Sequence, residues 1–378
     1  MKKKIMSWIG YSVFIVFTVT ASLELASQIY IHNYRRDLLS QSYQQENPAE
    51  YKRIKDWHGN FKRSPFFGYV TKYGNNYGFS SIDDYPLAKD DNTFVIAVLG
   101  GSVADQFVRH IVANARLTDR LKEYVPALKN KYIRFMNLAI PGYKQPQQYI
   151  ALSYFVENID MVIQLDGWNE VWSRTSGAYP MDYPSFSEFL YDDESNGRIS
   201  DVFEKKEMAE SIRMNPILSK SAILILYRNI LLKNVYSESQ DLSNPKASFY
   251  NRMNSPEEIQ QILVGNWKKY TTMEQAILKL HNKPGFFFIQ PSQYNPESKT
   301  FSSEEQSTVI NNIFSNSVAD FLALRKEASK LGVYDLAMVF KPIKETVYID
   351  DCCHINDKGN EIIADAIFRT IGQNYKLK

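Results

Sequence analysis

The stretch FVIAVLGGSVADQF, residues 94–107, runs from an uninterrupted apolar segment into two glycines and a serine. Apolar runs of this kind, without alternation, are typical of strands buried on both faces of a parallel sheet. From Val103 onward, apolar side chains recur at the three and four spacing of a helix. A strand that turns through Gly100 and Gly101 into a helix leaves Ser102 at the carboxyl end of that strand. Open parallel sheets bind ligands at this edge, and the amide groups of a helix N-terminus attract anions there.

Further apolar runs alternate with helical segments from Thr93 onward. The pattern predicts strands at TFVIAVLG (93–100), YIRFMNLAI (132–140), DMVIQLDG (160–167), GFFFIQP (285–291) and YDLAMVF (334–340), and one helix over 103–125. Each of these strands is too uniformly apolar to have a solvated face. Alternating strands and helices imply a parallel sheet covered by helices on both sides, so we expect an α/β domain over residues 93–378.

One long interval, residues 171–284, interrupts this alternation after the third strand. It opens with an aromatic, acidic loop and continues with helical patterns around 215–235 and 255–282. An insertion of this length between two core strands predicts a helical cap over one end of the sheet. Before the sheet, residues 26–92 begin as a polar stalk and continue as an extended arm rich in Gly, Asn and Tyr.

The N-terminus has the pattern of a membrane anchor. Three lysines at positions 2–4 precede about 19 uncharged residues that end before Glu24, just enough to cross a bilayer. The positive-inside rule keeps the lysines in the cytoplasm and sends the rest of the chain to the outside. We expect residues 1–25 to be an uncleaved transmembrane helix. A signal peptide cleaved near Ser22 is the alternative, and it would release a secreted protein.

Composition and motifs exclude several classes of partner. With 44 Lys and Arg against 42 Asp and Glu, the net charge is only +2, and no basic block invites nucleic acid. The glycines at 100 and 101 are not followed by the Lys-Ser or Lys-Thr of a P-loop, and the G-x-G-x-x-G spacing is absent. Two adjacent cysteines, Cys352 and Cys353, provide no disulfide framework. The sequence predicts neither a cofactor nor a metal site.

Three more stretches place polar groups where strands end or helices begin. NLAIPGY has Gly142 after the second strand, LDGWNE has Asn169 after the third, and DDCCHINDKGNEIIADAI has Asp351 and His354 before the last helix. With the Gly-Gly-Ser turn, and in this order, they resemble the four signature blocks of the SGNH hydrolases, the GDSL-type esterases and lipases. The resemblance extends from Thr93 to Ile371, without the insert.

The resemblance implies a fold and a set of roles. The fold is a flavodoxin-like three-layer sandwich with a central parallel sheet. Ser102 corresponds to the nucleophile, and Asp351 and His354 to the acid and base of a catalytic triad. The backbone amides of Ser102 and Gly142 and the side chain of Asn169 correspond to the oxyanion hole. Histidine suits the role of base because its pKa lies near neutrality.

Two positions depart from the family pattern. Gly101 stands where the usual Gly-Asp-Ser has its aspartate, and Glu170 replaces the aspartate of Gly-x-Asn-Asp. Neither change removes a group that performs a chemical step. Within the third block, Trp168 is expected to form a wall of the substrate pocket, with packing against the core as the alternative. Asp166 and Glu170 are expected to be turn formers beside the glycine.

Alternative interpretations exist for the same residues. Ser102 with Asp105 three positions later also matches a helix cap. The elbow of the general α/β-hydrolase fold has a second glycine where this chain has Ala104, which argues against that fold. A cysteine nucleophile is disfavoured because neighbouring residues cannot easily face one another.

Three functions therefore remain open at the level of sequence. The first is a membrane-anchored esterase outside the cytoplasm that hydrolyses acyl esters through an acyl-enzyme. The second is an O-acyltransferase or O-acetyltransferase, in which a sugar hydroxyl of a cell-surface polysaccharide intercepts the acyl-enzyme. The expected substrate is an acyl ester or an acylated glycan. The third is a non-catalytic binding protein that keeps the fold.

Overall fold

The computed structural model of the protein divides into two compact units, Met1–Gly59 with Asp192–Pro245 and Asn60–Tyr191 with Lys246–Lys378. The residues that the structure describes are 2–34, 60–171, 204–205, 208–209, 211–212, 215–231, 255–309, 315–350 and 352–375. The aromatic, acidic loop predicted at the start of the insert and most of the predicted stalk lie outside these residues.

The first unit contains the N-terminal apolar helix that the sequence predicts, α1 (Lys2–Tyr34). Its segment Tyr11–Tyr34 is long and apolar enough to cross a membrane, by length and composition alone. The Glu24 carboxylate accepts hydrogen bonds from Ser221 Oγ at 2.7 Å and from the first backbone N–H groups of the helix Ala222–Leu231 at 2.6 and 3.2 Å. The first amides of a helix have no hydrogen-bond partner within that helix. The Glu24 carboxylate therefore caps the helix Ala222–Leu231 and joins it to α1.

The second unit begins with an antiparallel hairpin, β1 (Phe61–Ser64) and β2 (Gly68–Thr71), and continues into a parallel sheet. The described strands of that sheet are β3 (Thr93–Gly100), β4 (Tyr132–Asn137), β5 (Met161–Asp166), β6 (Gly285–Ile289) and β7 (Tyr334–Asp335). They lie in the order β4-β3-β5-β6-β7, the flavodoxin-like arrangement, which confirms the predicted fold class.

Helices cover both faces of this sheet. Those described are α2 (Ser102–Ala113), α3 (Ala115–Tyr124), α4 (Gln147–Phe155), α5 (Pro256–Leu280), α6 (Ser303–Val309), α7 (Ser315–Lys330) and α8 (Asp357–Asn374). One layer is formed by α2, α3 and α8, and the other by α4, α5 and α7. Since successive side chains of a strand point to opposite faces, β5 directs Ile163 and Leu165 into the first layer and Gln164 and Asp166 toward α5.

The register of the sheet sets the position of the site. Gly100, the last residue of β3, pairs with Leu165 near the end of β5. Both strands are fully buried, as their uniform apolar sequences predict. The turns that follow them, at Gly101 and at Gly167, therefore leave the sheet side by side at its carboxyl edge.

Several predicted boundaries differ from the structure. The predicted helix over 103–125 is broken at Asn114, which adopts an extended conformation with φ −125° and ψ 91°. The Asn114 side chain makes no cap hydrogen bond, and its backbone N–H donates to the Ile111 carbonyl at 3.1 Å where the first helix ends. The last strand stops at Asp335, whose carboxylate accepts a hydrogen bond from the Ala337 N–H and turns the chain. At the sheet edge, Tyr132 at the start of β4 is 66% exposed, whereas Met136 on the same face is fully buried, so the departure from the predicted burial is confined to the start of this strand.

Part of the interval predicted as a cap belongs to the sandwich itself. The helix α5 (Pro256–Leu280) is the crossover between β5 and β6 and packs against α4 and α7. A capping box at Ser255 and Glu258 starts this helix. The rest of the predicted cap, residues 171–284 without α5, stays a prediction.

Candidate active site

The turn between β3 and α2 is built by two glycines for two different reasons. Gly100 has φ +142°, and a Cβ there would lie 2.4 Å from the Leu165 carbonyl oxygen, so both conformation and space demand glycine. Gly101 has an ordinary φ of −93°, but its Cβ would lie 1.9 Å from Asn169 Nδ2. The chain therefore passes directly under the Asn169 amide before it reaches Ser102.

Ser102 meets His354 at this edge, although the two residues are 252 positions apart. Ser102 Oγ lies 2.7 Å from His354 Nε2, and both side chains are partly exposed. The other ring nitrogen, Nδ1, is in hydrogen-bond contact with Asp350 Oδ2. A carboxylate can only accept a hydrogen bond, so Nδ1 carries the proton and the Nε2 lone pair faces the serine hydroxyl. This tautomer allows the histidine to accept the serine proton.

The carboxylate beside the histidine belongs to Asp350, whereas the sequence pattern selects Asp351. Asp351 lies outside the described residues. Asp350 Oδ1 accepts hydrogen bonds from three consecutive N–H groups, those of Cys352 (3.0 Å), Cys353 (3.2 Å) and His354 (3.3 Å). Burial raises the pKa of Asp350, but the hydrogen bond and charge of His354 and the backbone N–H groups outweigh it and hold this pKa below its usual value.

The sequence has two adjacent aspartates at this turn. The Asp-x-x-His spacing selects the second, while the turn in the structure wraps three amides around the first. The sequence signal for Asp350 is its position next to Asp351, because either of two adjacent carboxylates can face the histidine, depending on how the chain turns.

The other predicted site residues lie at the same edge. Asn169 Nδ2 donates a hydrogen bond to the Tyr143 carbonyl oxygen at 2.8 Å, which joins the turn after β5 to the turn after β4. Gly142 has φ +81°, a conformation that favours glycine, and the Tyr143 N–H closes the turn on the Ile140 carbonyl at 2.9 Å. The structure thus brings the Gly142 turn and Asn169 next to Gly101.

The N-terminal arm supports the Gly142 turn. The sequence did not predict this contact. Tyr69 Oη donates to the Pro141 carbonyl at 2.9 Å, and Tyr143 Oη donates to the Tyr69 carbonyl at 2.6 Å. The two rings pack edge to face with centroids 5.3 Å apart. Buried tyrosine hydroxyls need partners, so this reciprocal pair fixes the Gly142 turn from outside the sheet.

Trp168 lies within the core. Its side chain is fully buried and stacks on Tyr294 with ring centroids 4.7 Å apart and 16° between the planes. The rings of Phe321 and Trp168 pack edge to face, with centroids 6.2 Å apart. This burial favours the packing role over the predicted contact with substrate.

The helix-cap alternative for Ser102 does not match the described contacts. Gly101 holds the N-cap position of α2 and no side chain caps that helix. Asp105 is instead buried, where it accepts a hydrogen bond from Asn137 Nδ2 at 2.8 Å and pairs with Arg109 at 2.8 Å. The serine hydroxyl is consequently directed to the histidine.

A buried network of acids and amides lies behind the turn after β5. Gln164 Nε2 donates to both Asp166 Oδ2 (2.7 Å) and Glu274 Oε2 (2.9 Å), and Trp267 Nε1 also donates to Asp166 at 3.0 Å. Gln145, three residues after Gly142, donates to Glu274 at 2.8 Å. The network thus connects the segments after β4 and β5 to α5.

The carboxyl groups of this network hold their protons more tightly than usual. Burial, opposed by hydrogen bonds from Gln164 and Trp267, raises the pKa of Asp166 to about 6. Burial and the negative charge of Asp166 raise the pKa of Glu170 to about 8, and both causes raise the pKa of Glu274 well above its usual value. Glu170 Oε2 accepts the Gly167 N–H at 2.8 Å, as a turn former does.

Cys352, Cys353 and His354 bring one ligand atom each within 4.8 Å of one another, the arrangement that a soft metal ion would need. Both imidazole nitrogens are already in contact with Asp350 and Ser102. A metal ion would have to displace one of them, so we assign no metal to this group.

Solved structures that match this chain include two esterases. An acetyl xylan esterase matches with a TM-score of 0.39 and 14% identity, over 74% of this chain and all of that chain (100%). A catalytic mutant of an acetylxylan esterase from Geobacillus stearothermophilus matches with a TM-score of 0.35 and 13% identity, over 74% and 94% of the two chains. No protein-family model and no curated protein matches the sequence. The chemistry of the site therefore has to follow from its own residues.

Proposed function

We propose that the protein is a serine esterase of the SGNH type that hydrolyses acyl esters through an acyl-enzyme. The observation that carries this proposal is the 2.7 Å contact between Ser102 Oγ and His354 Nε2, with Asp350 on the opposite ring nitrogen. A serine hydroxyl is a weak nucleophile until a base removes its proton, and this arrangement supplies both the base and the group that orients it.

In the acylation step, Ser102 Oγ attacks the ester carbonyl while His354 Nε2 takes the hydroxyl proton. The carbonyl oxygen becomes an oxyanion, and the bond to the alcohol then breaks as the histidine returns its proton to the leaving alkoxide. A water molecule repeats the sequence on the acyl-enzyme and releases the acid. Asp350, with its lowered pKa, stays ionised and stabilises the imidazolium in both steps.

The oxyanion is stabilised in this proposal by the amides of Ser102 and Gly142 and by Asn169 Nδ2. The contact of Asn169 with the Tyr143 carbonyl uses one of its two amide hydrogens, which leaves the second to donate to the oxyanion. Donors that are fixed before the reaction cost no reorganisation in the transition state, and each contributes about 3–4 kcal/mol. The buried network behind Gly167 is suited to fixing this turn.

The proposal includes a location. The apolar segment Tyr11–Tyr34 and the lysines at 2–4 support an N-terminal anchor with the catalytic unit outside the cytoplasm. A signal sequence would meet the same description and would export the unit as a secreted protein.

Turnover of p-nitrophenyl acetate by the full-length protein in detergent tests this function. We expect hydrolysis that Ser102→Ala reduces by about 10³-fold or more, because this change removes the nucleophile. Ser153→Ala is the matched control, since Ser153 is exposed on α4 and its hydroxyl bonds only locally to the Tyr149 carbonyl. A folded wild-type protein without turnover, or equal losses in both variants, would contradict the proposal.

A further inference from the structure

The turn that carries His354 also carries two consecutive thiols. Cys353 is buried and Cys352 is partly exposed. Their Sγ atoms lie 2.9 Å apart, less than 1 Å beyond the roughly 2.05 Å of a disulfide bond. Side chains of neighbouring residues normally diverge, so the backbone of this turn holds the two sulfurs unusually close.

The same turn orients the histidine. Asp350 Oδ1 accepts the N–H groups of Cys352, Cys353 and His354, and Asp350 Oδ2 contacts His354 Nδ1. The peptide between the two cysteines is therefore part of the hydrogen-bonded unit that aims His354 Nε2 at Ser102. A change in that peptide therefore reaches the imidazole through the hydrogen bonds that Cys353 and His354 make to Asp350.

A bond between the two sulfurs would change that peptide. Adjacent Cα atoms across a trans peptide are about 3.8 Å apart, whereas the Cα atoms of disulfide-bonded cysteines are usually about 4.4–6.8 Å apart. Closing the eight-membered ring must bring the two Sγ atoms from 2.9 Å to about 2.05 Å while the Cα atoms stay closer together than in other disulfides, so we expect the Cys352–Cys353 peptide to change its orientation along with the side chains. The Cys353 N–H then turns away from Asp350, and the hydrogen bonds that hold His354 weaken.

We propose that Cys352 and Cys353 are a redox modification site, in which a reversible disulfide between them misaligns His354 and lowers the rate of reaction at Ser102. The effect on rate rests on the esterase function proposed above, while the disulfide itself does not. An exported catalytic unit would meet disulfide oxidants, which are maintained outside the reducing cytoplasm.

The oxidant is a small-molecule or protein disulfide, RSSR. The Cys352 thiol, the more accessible one, loses its proton to solvent and attacks RSSR, which forms a mixed disulfide and releases one RSH after protonation. The Cys353 thiol then loses its proton and attacks Cys352 Sγ, which expels the second RSH. Two cysteine thiols are oxidised and one external disulfide is reduced to two thiols. Burial raises the pKa of Cys353, so this second step is the slower one.

The test uses the full-length protein in detergent, with EDTA present to exclude bound metal ions. Incubation with bis(2-hydroxyethyl) disulfide is expected to lower the intact mass by the two hydrogen atoms lost and to protect both cysteines from iodoacetamide added after unfolding in urea. Hydrolysis of p-nitrophenyl acetate is expected to fall at least tenfold and to return with dithiothreitol. Cys352→Ser and Cys353→Ser should show no fall relative to their own untreated rates.

A readout independent of activity follows the turn itself. Hydrogen exchange at the amides of residues 352–354 is expected to accelerate on oxidation of the wild-type protein, because their bonds to Asp350 weaken. It should not change in Cys352→Ser treated in the same way. If the protein hydrolyses no ester in either state, the proposed function fails, while mass and exchange still decide whether the disulfide forms and displaces the turn.

Three results would overturn the inference. The first is a wild-type mass and iodoacetamide labelling that stay those of two thiols after oxidation. The second is a stable mixed disulfide on either cysteine, which would mean that the pair does not close. The third is a closed disulfide with unchanged amide exchange and unchanged turnover, which would leave the pair without influence on His354.

Discussion

Replacement of Gly101 by alanine is expected to remove most of the activity without altering either partner of the Ser102–His354 contact. A Cβ at this position would lie 1.9 Å from Asn169 Nδ2, 3.1 Å from Asn169 Cγ and 3.2 Å from the Tyr143 carbonyl oxygen. Real Cβ atoms essentially never approach other heavy atoms more closely than 3.0 Å. The Asn169 side chain is the flexible member of these contacts, so it must move.

The size of this movement sets the expected loss. Asn169 Nδ2 has to retreat by about 1.5 Å to reach an ordinary van der Waals distance from the new methyl group. A hydrogen bond of 2.8 Å, such as the one to Tyr143, does not survive a shift of that size, and neither does donation to an oxyanion. Loss of one oxyanion donor lowers kcat by about 10²–10³, or about 3–4 kcal/mol. KM should change little, because the donor acts mainly in the transition state.

The assay is a double-mutant cycle on p-nitrophenyl acetate with the full-length protein. Gly101→Ala and Asn169→Ala remove the same donor, so the double variant should be no slower than the slower single variant. Gly265→Ala is the matched control, because a methyl group at this position of α5 meets nothing within 4 Å. It should keep wild-type kcat and gain about 0.5–1 kcal/mol of stability.

Two results would refute this reasoning. One is a Gly101→Ala protein with wild-type kcat, which would mean that the Asn169 amide is not needed where the structure holds it. The other is a double variant whose loss is the product of the two single losses, which would mean that the two residues act independently. Thermal unfolding of each variant separates both results from a failure to fold.

Stability measurements and a topology assay test three other features. Glu170, with a pKa of about 8 when folded against 4.5 when unfolded, binds more protons in the native state, so its contribution to stability falls as pH rises from about 4.5 to 8. The free energy of unfolding of Glu170→Gln, measured by urea unfolding, should therefore rise relative to wild type by on the order of 3 kcal/mol between pH 5 and 8. The exposed control Glu123→Gln should show no such rise. Parallel plots of unfolding free energy against pH for wild type and both variants would contradict the raised pKa. Lys299 and Glu305 form a fully buried ion pair at 2.9 Å, and the Glu305 carboxylate also accepts the N–H groups of Ser302, Val347 and Tyr348. Glu305→Ala should therefore cost about 3–5 kcal/mol, and full stability in this variant would contradict the account. An alkaline phosphatase fused to the C-terminus should be active in cells, because the catalytic unit is proposed to be exported; an inactive but intact fusion would place that unit in the cytoplasm.

The sheet was predictable because its signal is local. A strand buried on both faces must be apolar throughout, and β3 (Thr93–Gly100) and β5 (Met161–Asp166) match the predicted runs closely. The α/β class and the parallel order follow from the alternation of strands and helices. Less was predictable where the apolar periodicity continues across a break in the backbone, as at Asn114, where one predicted helix becomes two.

The site was predictable in outline and not in its supporting contacts. Motif order led us to expect Ser102 and His354 together, and their side chains lie 2.7 Å apart, although their catalytic roles stay predictions. The Asp350 carboxylate lies beside His354 in the structure because three backbone amides turn toward it. The spacing of residues along the chain does not show the direction of those amides. The link between Asp166 and Glu274 through Gln164 was also hidden, because these two carboxylates lie on separate elements and spacing along the chain does not show that the elements pack together.

The most direct test of the central claim is covalent labelling of the full-length protein with a fluorophosphonate, followed by mass spectrometry of the peptides. The account predicts one label, on Ser102, which is absent in Ser102→Ala and slowed by about 10³-fold in His354→Ala, because the serine is nucleophilic only when the imidazole takes its proton. A folded wild-type protein that stays unlabelled, or that carries its label on a different serine, would contradict it.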